Sequence, residues 1–243
     1  MAVVARQSRR SKHVRSALAT IAALATFGAT GQQLTQSFDD ITTLAGAGWV
    51  FTNNSAATGT TGWFQGNSAV FAAQTGVPGS YIAANFLNAA FGGNVSNWLL
   101  SPALTNLQNG QTLTFHTRSA GNTRADRLEV RLCAPVNCTN VGATDITVGN
   151  FTNLMLSINP SQIAGTYPTA WTLYTVVLSG LPAGPNTGRL GFRYFVSDTA
   201  ASGDYIGIDT LNLTGGGPTP VLQNAVSRKA HGGAGTFNLP LAP

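Results

Sequence analysis

Charge is the scarcest commodity in this 243-residue chain: only 9% of its residues are Asp, Glu, Lys or Arg, against about 25% in an ordinary soluble domain. The formal net charge of +5 is concentrated at one end. Arg6, Arg9, Arg10, Lys12 and Arg15 lie in the first 31 residues, where there is no acid; thirteen basic residues less these five leaves eight, against eight acids, in the remainder. That near-neutral remainder excludes the basic footprint that a phosphate backbone requires, so nucleic acid is not an expected partner. Cysteine is equally sparse. Cys133 and Cys138 are the only two, and with no second ligand pair they do not read as a metal site. Spanning a Pro-Asn turn in an exported chain, they read as a hairpin disulfide. Of three histidines, His231 sits in a Gly-rich stretch and His13 in the leader, so a nucleophile-and-base arrangement would have to rest on His116. Long segments of period 3.6 are also missing, which argues against a helical fold.

Glycine, threonine and asparagine are abundant, as suits an extracellular β protein. The basic residues at the start precede an apolar run, Ala17 to Phe27, and then small residues up to Gly31. This is the three-part pattern of a secretory signal peptide, with an apolar stretch too short to span a bilayer comfortably. We therefore expect residues 1–31 to direct export, no membrane span after signal removal, and a secreted or cell-surface location.

From Gln36 onward, short runs of β-branched and aromatic residues alternate with Gly, Pro, Asn and Ser clusters. The clearest are 80–86, 97–101, 111–118, 126–132, 171–178, 189–196 and 205–213. Such spacing predicts an all-β sandwich or barrel of a single domain, 36–214. The cluster Thr214-Gly-Gly-Gly-Pro-Thr-Pro220 marks its edge, and 215–243 reads as a Gly/Pro-rich linker and tail. Along 126–132, Leu128, Val130 and Leu132 share one face while Arg127, Glu129 and Arg131 share the other. If 111–118 pairs with this run as a hairpin, His116, Arg118 and Arg131 meet on one wet, mildly basic face, the first place to look for ligand contact.

Acids this few are informative by position. Asp39 and Asp40 open the folded part, while Asp204 and Asp209 are carried by its last β-rich run. In a two-sheet sandwich the first and last strands often lie side by side, so the four carboxylates could converge on one calcium ion, completed by loop carbonyls and water. Among the aromatics, Trp98 and Trp171 sit in apolar strand patterns and are expected in the core. Trp63 and Phe64, in the turn Gly59 to Gly66, are the better exposed candidates for stacking on a ligand, together with Tyr81. Glu129, flanked by two arginines, has the wrong electrostatics for a general acid. No nucleophile-and-base pair can be assembled, and an enzyme is not expected.

The ordered series Phe38-Asp-Asp, Gly48-Trp-Val-Phe, Ser96-Asn-Trp-Leu-Leu-Ser-Pro102, Asp126-Arg-Leu-Glu-Val-Arg, Tyr167-Pro-Thr-Ala-Trp171, Phe192-Arg-Tyr-Phe-Val and Asp204-Tyr-Ile-Gly-Ile-Asp209 resembles the bacterial choice-of-anchor J domain family, itself related to cleaved-adhesin and MAM-type domains. The resemblance covers roughly 36–213. It implies a jelly-roll (concanavalin-like) antiparallel β-sandwich with an adhesive or binding role toward a cell-surface or extracellular glycan or protein. It also implies a structural calcium near the joined termini. A carbohydrate-binding module using Trp63, Tyr81, His116, Arg118 and Arg131 is the alternative. Members of that family often end in a sorting signal, and the segment Ser227 to Phe237 stands in its place here, so anchoring through this chain is not expected.

Overall fold

The structure, a computed structural model, describes residues 33–136 and 138–215. The expected signal peptide and nearly all of the expected tail lie outside the described residues. Thirteen strands run in order within them: β1 (Leu34–Gln36), β2 (Val50–Asn53), β3 (Ala56–Thr58), β4 (Phe64–Gln65), β5 (Ile82–Asn85), β6 (Ala89–Leu100), β7 (Leu104–Leu107), β8 (Thr112–Ser119), β9 (Leu128–Cys133), β10 (Asn153–Ile158), β11 (Thr172–Val177), β12 (Asn186–Val196) and β13 (Tyr205–Thr214). Two single-turn 3-10 helices, Ile41–Thr43 and Phe86–Asn88, are each capped by the preceding side chain, Asp40 or Asn85, accepting from a backbone N–H.

These strands form two antiparallel sheets stacked as a sandwich. The first has the order β11-β8-β13-β5-β4, with β1 added to β13; the second has the order β10-β9-β12-β6-β2, with β3 on β6 and β7 on β12. The first and last of the described strands lie side by side in the first sheet, as expected: Leu34 pairs with Leu213 and Gln36 with Leu211.

Alternation explains the layering. In β8, Leu113, Phe115, Thr117 and Ser119 are buried while Thr112, Thr114, His116 and Arg118 point outward. Phe115 meets Phe192 of the second sheet edge-to-face at 5.4 Å, and Leu113, Ile206, Ile208, Leu128, Val130, Leu190 and Tyr194 fill the same core. Each such large apolar side chain contributes roughly 1.5–3 kcal/mol on burial.

The expected β8–β9 hairpin does not form. β8 pairs with β11 and β13, whereas β9 pairs with β10 and β12, because residues 120–127 carry the chain from one sheet to the other. Arg131 therefore lies on the opposite outer face from His116 and Arg118. The segment up to Phe151 covers the outside of the second sheet, and 153–158 is its edge strand β10.

Candidate binding surfaces

The outer face of the first sheet carries an aromatic cluster at one end. Phe71, Tyr81, Ala83 and Tyr205 are buried there, with Phe64, Ala73 and Trp171 packed around them. Phe71 stacks on Tyr81 at 4.9 Å and meets Trp171 and Tyr205 edge-on. The cluster sits directly on Gly207, where a Cβ would lie 2.8 Å from Trp171, 2.9 Å from Tyr81 and 3.0 Å from Phe71. Only glycine lets the rings approach the strand this closely. The loop after β4 is tied down over them: Tyr81 donates its hydroxyl to the Asn67 carbonyl, the Asn67 N–H donates to the Tyr205 hydroxyl, and Trp171 Nε1 donates to the Ala72 carbonyl. The Arg118 guanidinium lies 4.3 Å from the Phe71 ring centroid; burial pulls its pKa down, with the Tyr81 hydroxyl opposing.

This geometry reassigns the aromatic candidates. Tyr81 is fully buried and Trp63 is 7% exposed within the main core, so neither presents a ring to a ligand. Trp171, expected inside the sandwich, is half-buried on its outer face. His116 is half-buried on the same face, between the Cα partners Asp209 and Leu173, with its Nδ1 lacking a partner among the described residues.

The four aspartates do not form one cage. Asp204 immediately precedes β13 and Asp209 lies within it, five positions on, about 16 Å in extended chain. Asp40 spends its carboxylate on Thr42 N–H and Oγ1. Asp209, fully buried, accepts from the N–H groups of Gln74, Thr75 and Thr210; burial raises its pKa and these hydrogen bonds oppose the rise. Among the described residues no group of three or more His, Cys, Asp and Glu side chains is placed to hold a metal ion. What does come together is smaller. Asp39 and Asp209 both reach the 74–80 loop, and at Gly76 a Cβ would meet Ser80 Oγ at 3.1 Å and Asp39 Oδ1 at 3.2 Å. Ser80 Oγ is buried without a hydrogen-bond partner among the described residues. Asp39 Oδ1 and Ser80 Oγ thus both lie about 3.2 Å or less from one point beside Gly76, two oxygen atoms of the six to eight that a calcium ion takes.

Outside the second sheet the expected wet face is closed over. Glu129 is 1% exposed and accepts from Arg127 Nη2 at 2.5 Å, Arg131 Nε at 2.7 Å and Arg193 Nη1 at 3.3 Å. Arg193, itself 1% exposed, also donates to Ser96 Oγ and the Asp145 carbonyl and lies 3.7 Å from the Phe195 ring centroid. Arg131 further donates to the Phe151 carbonyl, which pins the 138–151 segment onto the sheet. The Cys133–Cys138 disulfide is formed and packs with Trp98, Leu100, Val141 and Phe151 in this outer layer. Arg131 is thus a structural partner of Glu129.

A third acid, after Asp209 and Glu129, is also buried. Asp126 accepts from the Tyr194 hydroxyl at 2.6 Å and the Asp204 N–H at 2.8 Å through Oδ1, while Oδ2 is buried without a partner among the described residues. The signal was available in Arg193 and Asp126, each a charge bordering an apolar run where a charge needs a partner. Two surface cavities among the described residues, of about 180 and 270 Å3 and bounded by Gln33 and Thr105 in one and Asn150 and Asn153 in the other, are lined without a titratable side chain.

Among the described residues no helix is long and apolar enough to cross a membrane. No family model and no curated protein matches the chain. Solved structures do. The K1 cleaved adhesin domain of Lys-gingipain from Porphyromonas gingivalis W83 is 25% identical over 78% of this chain and 100% of that domain, with a TM-score of 0.51. The K3 cleaved adhesin domain of the same protein is 22% identical over 76% of this chain and 98% of that domain, also at 0.51. The chain is an all-β jelly-roll sandwich with the fold of these cleaved adhesin domains.

Proposed function

We propose that this chain is an exported, non-catalytic binding or adhesion module, directed to the cell surface or medium by residues 1–31 and recognising an extracellular or surface glycan or protein. The observation that carries the reading is the co-extensive likeness to a whole cleaved adhesin domain. Purified full-length chain immobilised on a sensor is expected to bind intact bacterial or host cell surfaces saturably. The same protein should show no hydrolytic turnover that depends on His116. Absence of saturable binding, or turnover lost in His116→Ala, overturns it. Export is tested separately: the chain recovered from culture medium should begin just after Gly31.

We further propose a calcium ion held by Asp39 and Ser80, with loop carbonyls and water completing its shell and Asp209 anchoring the 74–80 loop. A divalent ion there would supply charge neutralisation and tie β1's exit to the 74–80 loop. The expected result is a fall of several degrees in the thermal midpoint on chelation. Asp39→Asn should abolish that sensitivity, and identical melting with and without chelator refutes it.

A further inference from the structure

The outer face of the first sheet is divided in two. Beyond the aromatic end, β1, β13, β8 and β11 present a floor of side chains whose rows follow from the register, since directly opposed residues in antiparallel strands point the same way. One row is Thr35–Asn212–Thr114–Thr175. The next is Thr214–Thr112–Val177, and on the aromatic side lies Asp209–His116–Leu173. Their sequence neighbours Leu113, Phe115, Val176, Leu211 and Leu213 are core residues, which fixes these rows as outward-facing. With strands about 4.8 Å apart, the four-strand floor is about 14 Å wide.

On this floor Thr35, Thr175 and Thr214 are exposed and Thr112 and Thr114 half-buried, while Asn212 between them is already engaged. On one side it is bordered by Leu173 and Val177 of the edge strand, 55% and 57% exposed. On the other, the loop held by Asp209 through Gln74 and Thr75 rises as a wall, with His116 at its foot.

The chemistry of this surface selects its occupant. Among the described residues its rows carry no lysine or arginine to meet a sulfated, phosphorylated or uronic-acid ligand, and the acid in them, Asp209, is buried beneath the wall. Aromatic and arginine anchors, which dominate protein interfaces, are absent from the open rows. What remains is a grid of hydroxyls, each able to donate and accept, beside two apolar side chains. An uncharged polyhydroxylated chain, with alternating hydroxyl edges and C–H faces, matches both parts.

We infer that this floor is the binding face for a neutral glycan chain, an assignment that rests on the binding-module reading and names its ligand class and surface. The test is native electrophoresis of the full chain through gels containing dextran, laminarin or hydroxyethylcellulose, with polygalacturonate as the charged counterpart. Retardation by at least one neutral polymer and not by polygalacturonate is expected. Thr114→Lys and Thr175→Lys, the second on the edge strand where a lysine is readily solvated, should each raise the polymer concentration needed at least tenfold while the thermal midpoint holds. Retardation by the charged polymer alone, by none, or equally in a correctly folded lysine variant overturns the inference. Saturable binding to cells that persists unchanged in both variants would keep the module reading and refute this assignment.

Discussion

Replacing Glu129 by Gln should lower the thermal midpoint by roughly 10 °C, the largest loss we expect from any conservative substitution in the described sandwich. Three guanidiniums converge on that one carboxylate, and Arg193 is as deeply buried as Glu129 itself. A buried pair of this kind adds little net stability as a whole, since desolvating both charges offsets their attraction. Removing one partner is different, because it strands the other charges in a low-dielectric layer and costs about 3–5 kcal/mol. Gln keeps the shape but turns an amide N–H2 toward guanidinium donors. Truncating the partner at the rim, Arg127→Ala, should cost about 1 kcal/mol or less, since 17% of that side chain is in solvent.

The pH dependence follows the same charges. Burial alone would raise the Glu129 pKa, but the Arg131 hydrogen bond and the charges of Arg131, Arg193 and Arg127 outweigh it and hold the carboxyl below its ordinary value of 4.5. A depressed carboxyl stabilises the fold above its unfolded pKa and loses that contribution as pH falls through the folded value. Thermal melts of the parent protein should therefore weaken on the acid side below about pH 4.5, and Glu129→Gln should flatten that limb. A variant melting within 2 °C of the parent at pH 7 would show that the cluster contributes nothing.

The same residues mark where sequence reading succeeds and where it stops. The alternation over 126–132 placed Leu128, Val130 and Leu132 in the core correctly, since a period of two needs only local geometry. It assigned Glu129 to solvent because nothing local announces that residues 138–151 fold back over that face, nor that Arg193 arrives from a strand 64 positions away. Adjacency of the terminal strands was legible from the sandwich topology, and Leu34 opposite Leu213 realises it. The expected convergence of four carboxylates is not seen among the described residues, because Asp204 precedes β13 and Asp209 lies five positions on within it, and the strand's rise keeps them apart. Trp63 shows the complementary failure. A Gly-bounded turn signals an exposed backbone, yet the side chain it carries points into the main core. Patterning specifies which face a strand residue occupies, whereas the partner of that face depends on long-range topology.

Asp126→Asn should stabilise the protein at pH 8 and do nothing, or slightly harm it, at pH 4. Burial pushes the Asp126 carboxyl up to about 6 from an ordinary 3.8, against the opposing hydrogen bonds from Tyr194 and the Asp204 backbone, while the nearby Asp204 carboxyl adds to the rise. A raised carboxyl binds its proton more tightly in the folded state, so its contribution is complete below pH 3.8 and is lost as pH rises through about 6. A shift of this size leaves a penalty of about 3 kcal/mol once both states are ionised. Asparagine removes that charge and retains an oxygen for the Tyr194 hydroxyl and the Asp204 N–H. It also places an amide N–H2 where Oδ2 has no partner among the described residues, which costs about 1–2 kcal/mol. The balance is a gain of about 1–2 kcal/mol at pH 8, a rise of roughly 3–6 °C in the midpoint. The difference between the two pH values, more than either shift alone, identifies the buried charge. Equal destabilisation at pH 4 and pH 8 would mean that Asp126 acts through hydrogen bonding alone, with its ionisation playing no part.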